Sequence, residues 1–136
     1  MLIYSGIITL DYDPSTDILV TSMPDLRQFA LTEVTFCLGL IVDSIRNYHI
    51  TKLLLDSSNS VIEVGDDAYK AITGKFAADL MGTRLRRIAR VGTANPEREE
   101  KSRKLSAELR REMNFPAEYR TFVSKAEALS WLLEQD

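Results

Sequence analysis

The chain has one cysteine, Cys37, and one histidine, His49, in 136 residues. A lone thiol forms no internal disulfide and no thiolate cluster, and a lone imidazole leaves neither a transition-metal site nor a nucleophile triad with enough members. No cofactor is expected. The cysteine usage suits a reducing compartment, and the chain reads as cytoplasmic. Glycine and proline are sparse, at six and four, which excludes fibrous and low-complexity structure. Charge of one sign is also lacking: a net charge of -3 offers no global attraction to phosphate backbones or anionic lipid, so nucleic acid is not an expected partner. The opening Met1-Leu2-Ile3-Tyr4-Ser5 lacks the basic stretch of a signal peptide. No apolar run reaches the ~20 residues that span a bilayer, and membrane insertion is not expected.

What is present is ordinary for a globular domain: 45% apolar and 27% charged residues. The length allows one domain, residues 1–136, with one sizeable core. Leu2 to Tyr12 is rich in β-branched, aliphatic and aromatic residues and stops at Asp13-Pro14-Ser15-Thr16, a turn sequence; Asp17 to Met23 follows as a second strand. So short a connection makes the two antiparallel neighbours. From Thr32, placed as an N-cap, to Tyr48 the apolar residues recur at three and four, predicting a helix, and Lys52-Leu53-Leu54-Leu55-Asp56 reads as a strand buried on both faces. Asp66 or Asp67 can cap a helix striped by Tyr69, Ile72, Phe76 and Leu80 and ending at Gly82. A strand over 85–91 follows, then a helix opened by Asn95-Pro96 and running to about Met113. A strand over 119–123 leads into a last helix with the capping box Ser124-Lys125-Ala126-Glu127, on which Trp131 should be buried. The order ββαβαβαβα predicts an α/β fold: a single mixed sheet of about five strands with helices packed on it.

The hairpin segments Ile7-Ile8-Thr9-Leu10-Asp11-Tyr12 and Ile18-Leu19-Val20, the strand and loop Leu53 to Asn59, and the ending Phe122 to Leu132 together resemble the STAS and SpoIIAA-like domains. The resemblance is strongest to an uncharacterised bacterial branch that looks related to CRAL-TRIO lipid-transfer domains. It implies a SpoIIAA-like fold and a non-enzymatic binding or regulatory module, with the alternative of a small apolar-ligand or lipid carrier. Members that antagonise anti-sigma factors are phosphorylated on a serine of an Asp-Ser-Ser-Gly element capping the second helix. This sequence departs there: Asp56-Ser57-Ser58-Asn59 ends the buried strand, and the helix is preceded by Val64-Gly65-Asp66-Asp67, without a serine.

The candidate binding residues are Asp56, Ser57, Ser58, Asn59 and Ser60, at the C-terminal end of a central strand, where α/β sheets commonly hold ligands. The same residues also serve as a strand-to-helix loop making local backbone bonds. His49 suits a helix C-terminus by charge. Arg84, Arg86, Arg87 and Arg90 gather around one strand, with Arg86 and Arg90 on one side and Arg87 on the other; they either receive an anion or pair with the acidic helices. Glu97 to Lys104 reads as a solvated face, with Glu97–Lys101, Glu99–Arg103 and Glu100–Lys104 at i,i+4. Gly92-Thr93-Ala94-Asn95 could offer amides to an anion but lacks the lysine and glycines of a phosphate loop. No catalytic grouping emerges, so an enzyme is the least favoured reading. The expected partner is a protein or a small molecule, and a homodimer through apolar residues of the hairpin or first helix is a third possibility.

Overall fold

The protein is described by a computed structural model covering residues Met1–Glu134. Its main sheet has six strands, one more than the periodicity predicts, because the run from Leu2 to Tyr12 is itself a hairpin: β1 (Leu2–Ser5) turns at Gly6 into β2 (Thr9–Asp13). The Tyr4 ring lies against Gly6, and a Cβ there would run into the phenol. An isolated glycine inside a strand pattern is the sequence mark of such a close approach.

β3 (Ile18–Ser22) pairs antiparallel with β2, and the turn between them is held by Asp13, whose carboxylate accepts from the Ser15 amide at 3.0 Å and hydroxyl at 2.6 Å. Asp17 takes the left-handed conformation there, φ 59°. Its carboxylate accepts from Tyr12 at 2.7 Å and from the Thr51 amide at 3.2 Å, tying the hairpin to the entrance of the next strand. A two-residue strand β4 (Leu26–Arg27) and one 3-10 turn (Gln28–Ala30) then deliver the chain into α1 (Leu31–Asn47). The turn takes the capping place expected for Thr32: Ala30 is the N-cap and its side chain makes no cap bond. His49 closes the helix in the left-handed region, φ 54°.

Three parallel strands complete the sheet: β5 (Lys52–Asp56), β7 (Arg87–Val91) and β8 (Glu118–Phe122), in the order β1-β2-β3-β5-β7-β8. Their crossovers are α1, α2 (Asp66–Met81) and α3 (Pro96–Met113), while β6 (Ile62–Glu63) pairs with β4 as a separate two-stranded ribbon. Gly65, not Asp66 or Asp67, is the N-cap of α2, and the two aspartates lie in its first turn, where the positive helix end favours them. Asn95 caps α3 as read, accepting from the Arg98 amide at 3.2 Å.

Strand alternation divides the core. Leu53, Leu55, Ile88, Leu19 and Leu10 face the layer of α1 and α2. Leu54, Ala89, Val91 and Ile18 face the opposite side, where α4 (Lys125–Leu133) packs Ala128, Trp131 and Leu132 onto them. Ser124 accepts from the Glu127 amide at 3.2 Å, and Trp131 is 5% exposed. The 20 residues Gln28–Asn47 are long and apolar enough to cross a bilayer by length and composition. That corrects the expectation that no stretch reaches this length; Thr32, Glu33 and Thr35 interrupt the apolar run without removing its average character. Here its inner face, with Val34, Cys37, Ile41 and Ile45, closes the core.

Candidate functional site

Between the sheet, α2 and α3 the core is not completely filled. A cavity of about 110 Å³ has Leu55, Ile88, Arg90 and Tyr119 as its floor. Tyr69, Thr73, Phe76 and Leu80 of α2 form one wall, and Arg98, Ser102, Ser106 and Leu109 of α3 form the other. Pro24, Leu26 and Ile62 of the small ribbon region close one side, with Ser57 and Ser60 from the loop after β5. Geometry explains the gap: along α3 the inward stripe at i, i+4 and i+8 is Arg98, Ser102 and Ser106, and two small hydroxyl side chains leave space where leucines would fill it.

Arg90 is the most deeply buried cation of this site, at 6% exposure. It points to the helix side of β7 and makes a two-pronged contact with Glu99: Nη1 donates to Oε1 at 2.8 Å and Nη2 to Oε2 at 3.0 Å. The Thr93 amide and hydroxyl donate to the same Oε2 at 3.1 and 3.0 Å. The bonds from Arg90, outweighing burial, pull the Glu99 carboxyl down to about 2. Burial by itself would lower the Arg90 pKa, but the Glu99 hydrogen bond reverses the direction and it is raised. Gly92 belongs to this arrangement, since a Cβ there would collide with Glu99 Oε1.

These contacts correct two expectations. The Gly92-Thr93 turn does receive an anion, but that anion is the protein's own Glu99. The face of α3 that reads as solvated is not uniformly so: Glu99 turns inwards to Arg90 instead of pairing with Arg103. Lys101 reaches Asp66 at 2.8 Å instead of Glu97, and Glu100 pairs with Arg103 at 2.6 Å and Lys104 at 3.9 Å.

Arg98 is half-buried at the cavity wall. Its Nη1 donates to the Ser60 carbonyl and its Nη2 to Ser60 Oγ at 3.0 Å, while its buried Nε has no partner. Burial and then the charge of Arg90 lower its pKa, so its charged form is disfavoured by its surroundings. On the facing wall Thr73 Oγ1 is likewise buried and unpartnered. Native interiors leave few polar groups in that condition.

The predicted residues 56–60 divide between the two roles. Asp56 accepts from the Ser58 amide at 2.9 Å and hydroxyl at 2.6 Å, a local turn in which Ser58 and Asn59 are exposed. Ser57 and Ser60 are buried, and both line the cavity. Arg87 faces the other side of the sheet, donating to the Trp131 and Glu134 carbonyls at 3.1 and 2.7 Å and lying 5.5 Å from the Trp131 ring. Reading the sequence missed Arg98, Thr73, Ser102 and Ser106. The available signal was the serine pair on the stripe that carries Leu109.

Among the described residues no group of three or more His, Cys, Asp or Glu side chains converges as a metal site would require. No known family profile matches the chain, and no curated protein sequence matches it. Its fold is similar to that in the crystal structure of an uncharacterized protein of the DUF3478 family, with a SpoIIAA-like fold, from Shewanella loihica PV-4. The two share 20% identity and superpose with a TM-score of 0.55 over 96% of this chain and 98% of that one. The fold is therefore a mixed α/β architecture of the SpoIIAA-like kind.

Proposed function

We propose that this protein is a non-enzymatic binding module that takes a small, largely apolar molecule into the cavity between the sheet, α2 and α3. The observation that carries the reading is a cavity with a mostly apolar lining, whose walls include Arg98 and Thr73, two residues that each keep a buried polar atom, Nε and Oγ1, without a partner beneath the cavity surface. Ligand sites combine a mostly apolar lining with a few polar groups that fix orientation, and buried polar atoms are normally satisfied. The loop of Asp56 to Ser60 is then the regulatory element: Ser57 and Ser60 touch the ligand space while Ser58 and Asn59 present an exposed turn to a protein partner. The resemblance to STAS-like modules supports that division of labour.

The CRAL-TRIO-like alternative also uses an internal cavity, but 110 Å³ favours a compact molecule over an acyl chain. An engineered apolar cavity that accepts benzene measures about 150 Å³. The test is a methyl-detected NMR titration of the purified chain with cyclohexanol and with toluene. Ala77 of α2 also lines the cavity, and shifts at Leu55, Ile88 and Leu109 that disappear in the cavity-filling variant Ala77→Leu support the proposal. Shifts elsewhere only, or shifts indifferent to Ala77→Leu, overturn it.

A homodimer is a second proposal, supported by Ile7 and Phe29, which are 60% and 85% exposed beside one another's elements at the edge of the α1 layer. Light scattering reads it directly: a monomeric mass at the highest soluble concentration removes it.

A further inference from the structure

We infer that the ligand is a small organic acid, its carboxylate held by Arg98 and its apolar body lying between α2 and α3; this rests on the ligand-binding reading above. Among the described residues the cavity lining holds three arginines, Arg90, Arg98 and Arg110, and no aspartate or glutamate, in a chain whose net charge is -3. Two of the three are already engaged. Arg90 is neutralised by Glu99. Arg110 lies 5.4 Å from the Tyr119 ring and donates to the Ser106 carbonyl at 3.3 Å.

Arg98 differs: no carboxylate of the described residues forms an ion pair with it. Two carboxylates act on it from farther away, Glu99 and Asp25. Glu99 is saturated by Arg90 and Thr93. Asp25 accepts from the Val61 amide at 3.0 Å and faces Arg27 at 3.6 Å. One half-buried positive charge thus has the two Ser60 oxygens against it but no carboxylate in contact, and a charge drawn partly out of water without a contacting counterion is unfavourable.

The charge to be matched is a single one, which favours a monoanionic carboxylate over a dianionic phosphate. Arg98 Nε and, on the facing helix, Thr73 Oγ1 supply hydrogen-bonding capacity for its oxygens. Both atoms are shielded from solvent, so the guanidinium turns from Ser60 towards the acid as it binds. The volume of 110 Å³ sets the body at about four to six carbons, by comparison with the benzene-sized cavity.

The experiment compares matched probes on the full chain by NMR titration: isovalerate, its neutral counterpart 3-methylbutan-1-ol, and inorganic phosphate. Isovalerate is expected to bind about tenfold or more tighter than the alcohol, as a charge-assisted hydrogen bond warrants. Arg98→Met should remove that preference while leaving alcohol binding within about threefold, and Arg98→Lys should restore part of it. A melting curve of each variant checks folding, and the wild-type comparison of acid with alcohol stands without any variant. Equal binding of acid and alcohol overturns this inference and leaves the cavity reading intact. Failure of both to bind overturns both readings. Phosphate binding that depends on Arg98, with no isovalerate binding, overturns the organic acid.

Discussion

Replacing Glu99 by glutamine keeps the shape of the side chain and removes its charge, leaving the Arg90 guanidinium, 6% exposed, without a counterion. Breaking a buried ion pair by neutralising one partner destabilises by roughly 3–5 kcal/mol. Glutamine retains one oxygen as an acceptor, worth about 1 kcal/mol, and its new N–H groups face the donors of Arg90 or Thr93. We expect a loss of about 2–3 kcal/mol at neutral pH, a fall of roughly 8–12 °C in Tm for a chain of this size. The shift of the Glu99 carboxyl, which reflects the same contact, has a matching size. The Glu99 carboxyl falls from 4.5 to about 2 on folding, which at full strength is about 3 kcal/mol and, with solvent screening of a side chain that is 26% exposed, about 2 kcal/mol. Because the folded value is the lower one, this stability is complete above pH 4.5 and is lost as the pH falls towards 2. Urea unfolding of wild type and Glu99→Gln across that range is the assay. Their stabilities should converge on acidification with unchanged urea dependence. A difference under about 0.5 kcal/mol near neutrality, or one that ignores pH between 2 and 5, would show that the Arg90–Glu99 pair does not stabilise the fold.

Thr73→Val removes an unpartnered buried hydroxyl, so thermal unfolding should show a gain of about 0.5–1 kcal/mol together with weaker isovalerate binding; a net loss of stability contradicts it. Gly92→Ala places a Cβ against Glu99 Oε1 and should destabilise by an amount similar to Glu99→Gln, with the double variant little worse than either single one; additive losses would separate the two sites. Cys37 is wholly buried, and burial together with Glu33 raises its pKa. A thiol reagent should therefore modify it about a hundredfold more slowly in native buffer than in urea, and comparable rates would show that the α1 layer opens readily.

The path of the chain was largely legible in the sequence because its signals are local. Asn95-Pro96 and the Ser124 cap mark helix starts by bonds made within one turn, and Leu53 to Leu55 mark a two-faced strand by lacking alternation. The turn at Gly6 was missed because an apolar run hides a reversal until Tyr4 is seen to occupy the space of a side chain. The site was half legible. Ser57 and Ser60 were singled out from their place after a central strand. Arg98 and Glu99 were hidden in a run of alternating charges, where helical spacing makes every acid look paired with a base four residues on. Only the packing of α3 against the sheet shows that Glu99 is taken by Arg90 and that Arg98 reaches Ser60.

The cavity between α2, α3 and the sheet is tested most directly by a crystal of this chain equilibrated under xenon, since xenon enters apolar cavities of this kind without needing the polar groups. A bound atom is expected among Leu55, Phe76, Ile88 and Leu109. Xenon absent from that position, and found instead only beside Ile7 and Phe29, would contradict it.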